Sequence, residues 1–114
     1  MREKIVLKYS EIQNAFKDNN IDIVEYNVET NEILELPFVV YVAEDGDMFN
    51  ADGVNYVNFL NVGVVMIDET MNFDLQRKIE EVFYTNEITF EKNITFAEDE
   101  RLYTVTYMIQ VYDI

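Results

Sequence analysis

The closing stretch Leu102-Tyr103-Thr104-Val105-Thr106-Tyr107-Met108-Ile109-Gln110-Val111-Tyr112 decides the fold. Extended, it puts Tyr103, Val105, Tyr107, Ile109 and Val111 on one face. Leu102, Thr104, Thr106, Met108, Gln110 and Tyr112 fall on the other. Period-two alternation of β-branched and aromatic residues is the signature of a long strand with one face on a core. Ala97-Glu98-Asp99-Glu100 turns the chain before it. Further back Ile88, Phe90, Ile94 and Phe96 alternate, with Lys92 the single exception. The two runs read as a final hairpin.

Working toward the N-terminus, the period changes. Asn72 is an N-cap residue with Asp74 in the favoured first turn. Leu75, Ile79, Val82 and Phe83 then form the stripe of an amphipathic helix, and Arg77 is spaced to pair with Glu81 on the wet side. A long strand region precedes it from Val54 to Ile67. Asn55, Asn58 and Asn61 break its alternation and predict a bulge near Asn58; from Leu60, the residues Leu60, Val62, Val64 and Met66 share a face. Phe38-Val39-Val40-Tyr41-Val42-Ala43 is apolar on both faces and predicts a buried central strand. Ile21, Ile23 and Val28 suggest a weak strand. Ser10-Glu11-Ile12-Gln13, with Ile12, Ala15 and Phe16, predicts a capped helix over 10–18, with Tyr9 and Ile5 continuing its stripe backward. The order α-β-β-β-α-β-β predicts an α+β fold, a mostly antiparallel sheet with two helices packed on it.

The chain of 114 residues is 49% apolar, with one proline and three glycines, and reads as one domain over 1–114. It carries 23 acids against 8 bases, a net charge of −15. Between Lys17 and Arg77 lie 13 acids and not one base. Such a field repels phosphate, which disfavours conventional nucleic-acid and anionic-membrane binding. Histidine and cysteine are absent and Ser10 is the only serine. Disulfides, thiolate–imidazole zinc sites, histidine bases and nearly every serine triad are thereby excluded. The N-terminus lacks the apolar run and cleavage site of a signal peptide. The longest apolar runs, about seven residues, fall far short of the ~20 of a membrane helix. The sequence predicts a protein retained in a cytoplasm, or in something assembled there.

The acidic loop at 44–53 invites a calcium reading. An EF-hand starting at Asp45 would put Phe49 where a ligand belongs and Asn50 where the glycine belongs, so the pattern fails. Loose attraction of a divalent ion is the most that Glu44, Asp45, Asp47 and Asp52 offer. Asp68/Glu69 and Glu80/Glu81 read as strand-end and helix-surface charges rather than an acid–base pair, and there is no Gly-rich phosphate loop. No catalytic residue, resident metal or cofactor is expected. Met48 and Phe49 stand apart as two apolar residues among those carboxylates. Either they fold back on the chain's own core or they contact another subunit, and their acidic setting favours contact. Aromatic residues on both faces of the last strand point the same way, since one sheet and two helices cover only one sheet face.

Two blocks carry a family resemblance: Pro37-Phe38-Val39-Val40-Tyr41, leading into a hairpin, and Glu100-Arg101-Leu102 through Tyr112, closing the chain after a helix and a hairpin strand. From about Lys8 to Tyr112 the layout resembles the small tail-completion, tail-terminator-like head–tail joining proteins of long-tailed phages and prophages of Gram-positive bacteria. The resemblance implies a virion structural protein: a homo-oligomeric ring, commonly of six subunits, that caps the tail tube and docks to the head connector. DNA would pass through the ring without specific binding, and Glu44, Asp45, Asp47 and Asp52 would suit a channel wall that repels it. The implied location is the host cytoplasm during assembly and then the virion. The competing reading is an acidic DNA mimic that inhibits a basic host DNA-binding protein, favoured by the base-free run.

Overall fold

The computed structural model describes residues 7–26, 35–44 and 59–112. A 3-10 turn, Tyr9–Glu11, runs into helix α1 (Ile12–Lys17), followed by strands β1 (Ile23–Glu25), β2 (Phe38–Glu44) and β3 (Phe59–Asp68). Helix α2 (Phe73–Thr85) leads to β4 (Glu91–Ala97) and β5 (Leu102–Tyr112). The expected order is present, and the fold is α+β. The strands form one five-stranded sheet in the order β1-β2-β3-β5-β4, antiparallel except for the parallel β1–β2 pair.

The alternation of β5 sets the core. Val105, Tyr107 and Val111 are completely buried and Ile109 nearly so. In register across the sheet, Val64 sits opposite both Tyr107 and Tyr41, and Met66 opposite both Val105 and Val39. Both helices cover this face, with Ile12 and Phe16 from α1 and Ile79, Val82 and Phe83 from α2 wholly buried. Phe83 is the hub, its ring 5.3 Å from Phe90, 5.5 Å from Tyr107 and 6.0 Å from Phe16. Each such side chain contributes roughly 1.5–3 kcal/mol by leaving water.

Several expectations are corrected. The sheet is mixed rather than antiparallel throughout, because β1 and β2 run parallel. β2 is buried on one face only; Val39 and Tyr41 are buried, while Phe38, Val40 and Val42 are half-buried. Ser10 is not a cap but lies inside the 3-10 turn, which Glu11 closes by accepting the Lys8 backbone N–H at 2.9 Å. Arg77 turns back to Asp74 at 3.3 Å instead of forward to Glu81. Both partners are largely exposed, so the pair adds little stability. Gln76, absent from the predicted stripe, is buried within it and donates to the Met71 carbonyl. The Asn72 cap is present, its side chain accepting the Leu75 N–H at 3.1 Å.

Candidate functional site

Among the described residues, charge enters the helix-covered face at its two sides, and the larger cluster is on the last hairpin. Lys92, the residue that broke the β4 alternation, lies on that face opposite Tyr107. Its ammonium is 2.7 Å from a Glu80 carboxylate oxygen and 5.7 Å from the Tyr107 ring centroid. The same carboxylate oxygen accepts the Tyr107 hydroxyl at 2.8 Å. Glu80 thus ties α2 to both strands of the last hairpin. Burial, and then the Glu80 carboxylate, pushes the Tyr107 phenol well above its ordinary value. A smaller counterpart sits at the other side of the sheet, where the Tyr9 hydroxyl donates to Glu25 and its ring stands edge-on to Tyr41. Desolvation, and then Glu25, pushes Tyr9 and Tyr41 upward as well. These clusters hold elements together and use up their carboxylates in doing so.

In the Asp68/Glu69 pair, the Asp68 carboxylate is also engaged structurally. Asp68 accepts the Glu69 N–H at 2.8 Å and the Asn72 side-chain amide at 2.9 Å, which shapes the connection from β3 into α2. Among the described residues no group of three or more Asp or Glu side chains is placed to hold a metal ion. Also among them, no helix is long and apolar enough to cross a membrane.

Two surface features remain. The first is the sheet face turned away from the helices. Val40, Val65 and Thr106 lie in one row across β2, β3 and β5; Val42, Gly63 and Met108 form the next. Their side chains are only half-buried, apart from Gly63, and Val24 at the β1 end is exposed. This is the incompletely covered second face that the aromatic and β-branched content implied.

The second is a groove of about 410 Å³ where α2 ends and the chain turns toward β4, lined by Tyr84, Glu87, Ile88, Thr89 and Phe90. Its floor is rigid. Phe90 packs 5.3 Å from both Phe83 and Tyr107, and Ile88 is buried. Its wall is Tyr84, 66% exposed and 5.9 Å from Phe90. The helix end that shapes it is a Schellman motif. Ile88 N–H reaches the Phe83 carbonyl at 2.8 Å, Glu87 N–H reaches the Tyr84 carbonyl at 3.1 Å, and Glu87 has a φ of 56°. The reading of the sequence missed this groove. Its only local signals were Asn86 after the helical stripe and two aromatics, Tyr84 and Phe90, across a helix end.

Of the residues singled out in the sequence, Glu44 ends β2, opposite Asn61 of β3. Asp45, Asp47, Asp52, Met48 and Phe49 lie outside the described residues, as does the bulge expected near Asn58. No protein-family model matches this sequence, and no curated protein gives a significant match to it.

Proposed function

We propose that this protein is a structural component of a phage or prophage virion, a homo-oligomer that caps the tail tube and joins tail to head. The observation that carries the reading furthest is the half-covered sheet face. Val40, Val42, Val65, Ile67 and Met108 gather apolar surface in a chain with a net charge of −15. A highly charged chain that leaves an apolar strip half-covered on this face, bordered by Asn61, Thr104, Thr106 and Gln110, is suited to bury that strip in an assembly. The resemblance of the Pro37–Tyr41 and Glu100–Tyr112 blocks supports the same role. An acidic surface around a bore would let DNA slide without sticking.

Sedimentation velocity over a salt series tests this. Copies this acidic repel one another unless screened, and the Debye length falls from about 10 Å at 0.1 M to about 3 Å at 1 M. A ring-sized species that grows with ionic strength is expected. Particles no larger than a dimer at every salt concentration, or assembly that weakens as salt rises, would sink the reading.

The base-free run from 18 to 76 favours a second reading, an acidic inhibitor of a basic DNA-binding protein. It predicts a monomer or dimer that titrates such a protein stoichiometrically and releases its DNA.

A further inference from the structure

We propose that copies of this chain join head to tail, with the outer side of α2 in one copy packed on the open sheet face of the next. The inference rests on the self-assembly proposed above and specifies which two surfaces meet.

Incompletely covered apolar side chains occupy both layers of the fold. On the open face, Val24, Val40 and Val65 lie in one row across β1, β2 and β3, with Val42 and Met108 in the next. On the helix side, Phe73 and Tyr84 are 58% and 66% exposed. They are eleven residues apart on α2, which at 3.6 residues per turn puts them on one line about 16 Å apart. Phe96, beside Tyr103 on the helix-covered face of β4, is a third exposed ring. A flat aliphatic strip thus lies on one side of the molecule and projecting aromatic rings on the other. Strip against strip would leave the rings bare. A head-to-tail contact covers both, and repeating it generates a ring if the rotation closes.

Charge selects a second copy as the occupant. At −15, two chains meeting at random oppose carboxylates. These two surfaces avoid that. Of the strand side chains described on the open face, Glu91 alone is charged. On α2, Asp74 and Glu81 are matched by Arg77 and Lys78, and Glu80 is matched by Lys92. A nearly uncharged strip therefore meets a balanced helix, while a strongly basic partner would find little to complement on either surface.

The size is adequate. By strand spacing and rise, the open face spans about 600 Å². A neighbour covering it would bury about 1,200 Å² in all, above the ~1,000 Å² expected of a specific contact.

The test mixes two variants of the full chain. A strip variant carries Val40→Thr, Val65→Thr and Met108→Gln, and a helix variant carries Phe73→Gln and Tyr84→Gln. All these positions are half-buried or exposed, and thermal melts check that both variants fold. Val65→Thr alone replaces the triple change if that one melts early. At about 1 M salt, where charges are screened, sedimentation velocity should show self-association weakened about tenfold or more in each variant alone. Their equimolar mixture should form a dimer of one copy of each and grow no further, because each supplies the surface that the other lacks. A helix variant that assembles like the parent would overturn the head-to-tail joint and leave self-assembly standing. So would a mixture that stays monomeric while the parent assembles. A parent that is monomeric at every salt concentration removes both.

Discussion

The Tyr107 hydroxyl, from a side chain with no exposed surface, donates to the Glu80 carboxylate at 2.8 Å across 27 residues of sequence. The bond joins the middle of the last hairpin to the helix that covers it. Because Lys92 holds the same oxygen, one carboxylate compensates a buried phenol and a partly buried ammonium together.

Tyr107→Phe removes one donor and leaves the ion pair, and should cost roughly 1–2 kcal/mol. Glu80→Leu leaves both the phenol and Lys92 without that acceptor and should cost more. Urea denaturation of the two variants and their double mutant gives the coupling directly. Equal losses from the two single changes would mean that Lys92 draws nothing from Glu80.

Alkaline stability follows from the same phenol. Burial and Glu80 hold Tyr107 protonated in the folded chain well above its ordinary value of 10.0. Tyr9 is raised in the same direction by burial and Glu25. Above about pH 10 the unfolded chain therefore loses protons that the folded chain keeps, and folding stability falls as pH rises. Below that pH the contribution is fully present. Stability measured from pH 8 to 12 should be flat and then fall, and Tyr107→Phe should fall less steeply, with the share of tyrosinate absorbance that belongs to Tyr107 and Tyr9 appearing only on unfolding.

Val64 and Val65 are neighbours in sequence on opposite faces of β3. Val64 is completely buried under the helices, whereas Val65 is half-buried on the open face. Val64→Thr puts a hydroxyl in the core and should cost about 1–3 kcal/mol. Val65→Thr should change stability by less than about 0.5 kcal/mol. In the sedimentation series Val65→Thr, and not Val64→Thr among its folded molecules, should reduce assembly.

Asn72 caps α2 with a φ of 47°, so it serves both as acceptor for the Leu75 N–H and as a residue tolerant of left-handed backbone. Asn72→Ala loses both and should cost roughly 1–3 kcal/mol. Asn72→Gly loses only the acceptor and should be the milder change. Thermal melts that rank alanine above glycine would show that the backbone conformation there carries no cost.

Lys92 also guards the sheet edge. β4 pairs only with β5 among the described strands, and a charge turned inward from an edge strand discourages pairing with another chain. Lys92→Val should therefore increase light scattering on storage or mild heating. A variant that stays as dispersed as the parent would mean that the edge is protected in some other way.

How much of this was legible in advance follows from the range of the interactions involved. The faces of β5, the Leu60–Met66 face of β3, the Asn72 cap and the stripe Ile79, Val82 and Phe83 are local. Each depends only on a strand period of two, a helical period of 3.6, or a hydrogen bond three residues away. The sequence by itself therefore determined these elements, most of the apolar side chains they bury and the α+β class. It did not determine that β1 lies parallel to β2, that β5 sits between β3 and β4, or that β2 keeps one face half open. Those depend on which strand edges meet and on how much surface two helices can cover. Lys92 looked like a defect in an alternating strand because its partner, Glu80, is on another element. The groove was hidden for the same reason: Tyr84 and Phe90 face each other only because a left-handed Glu87 ends the helix and folds the chain back. Only tertiary structure decides such contacts, since packing rather than periodicity brings distant residues together.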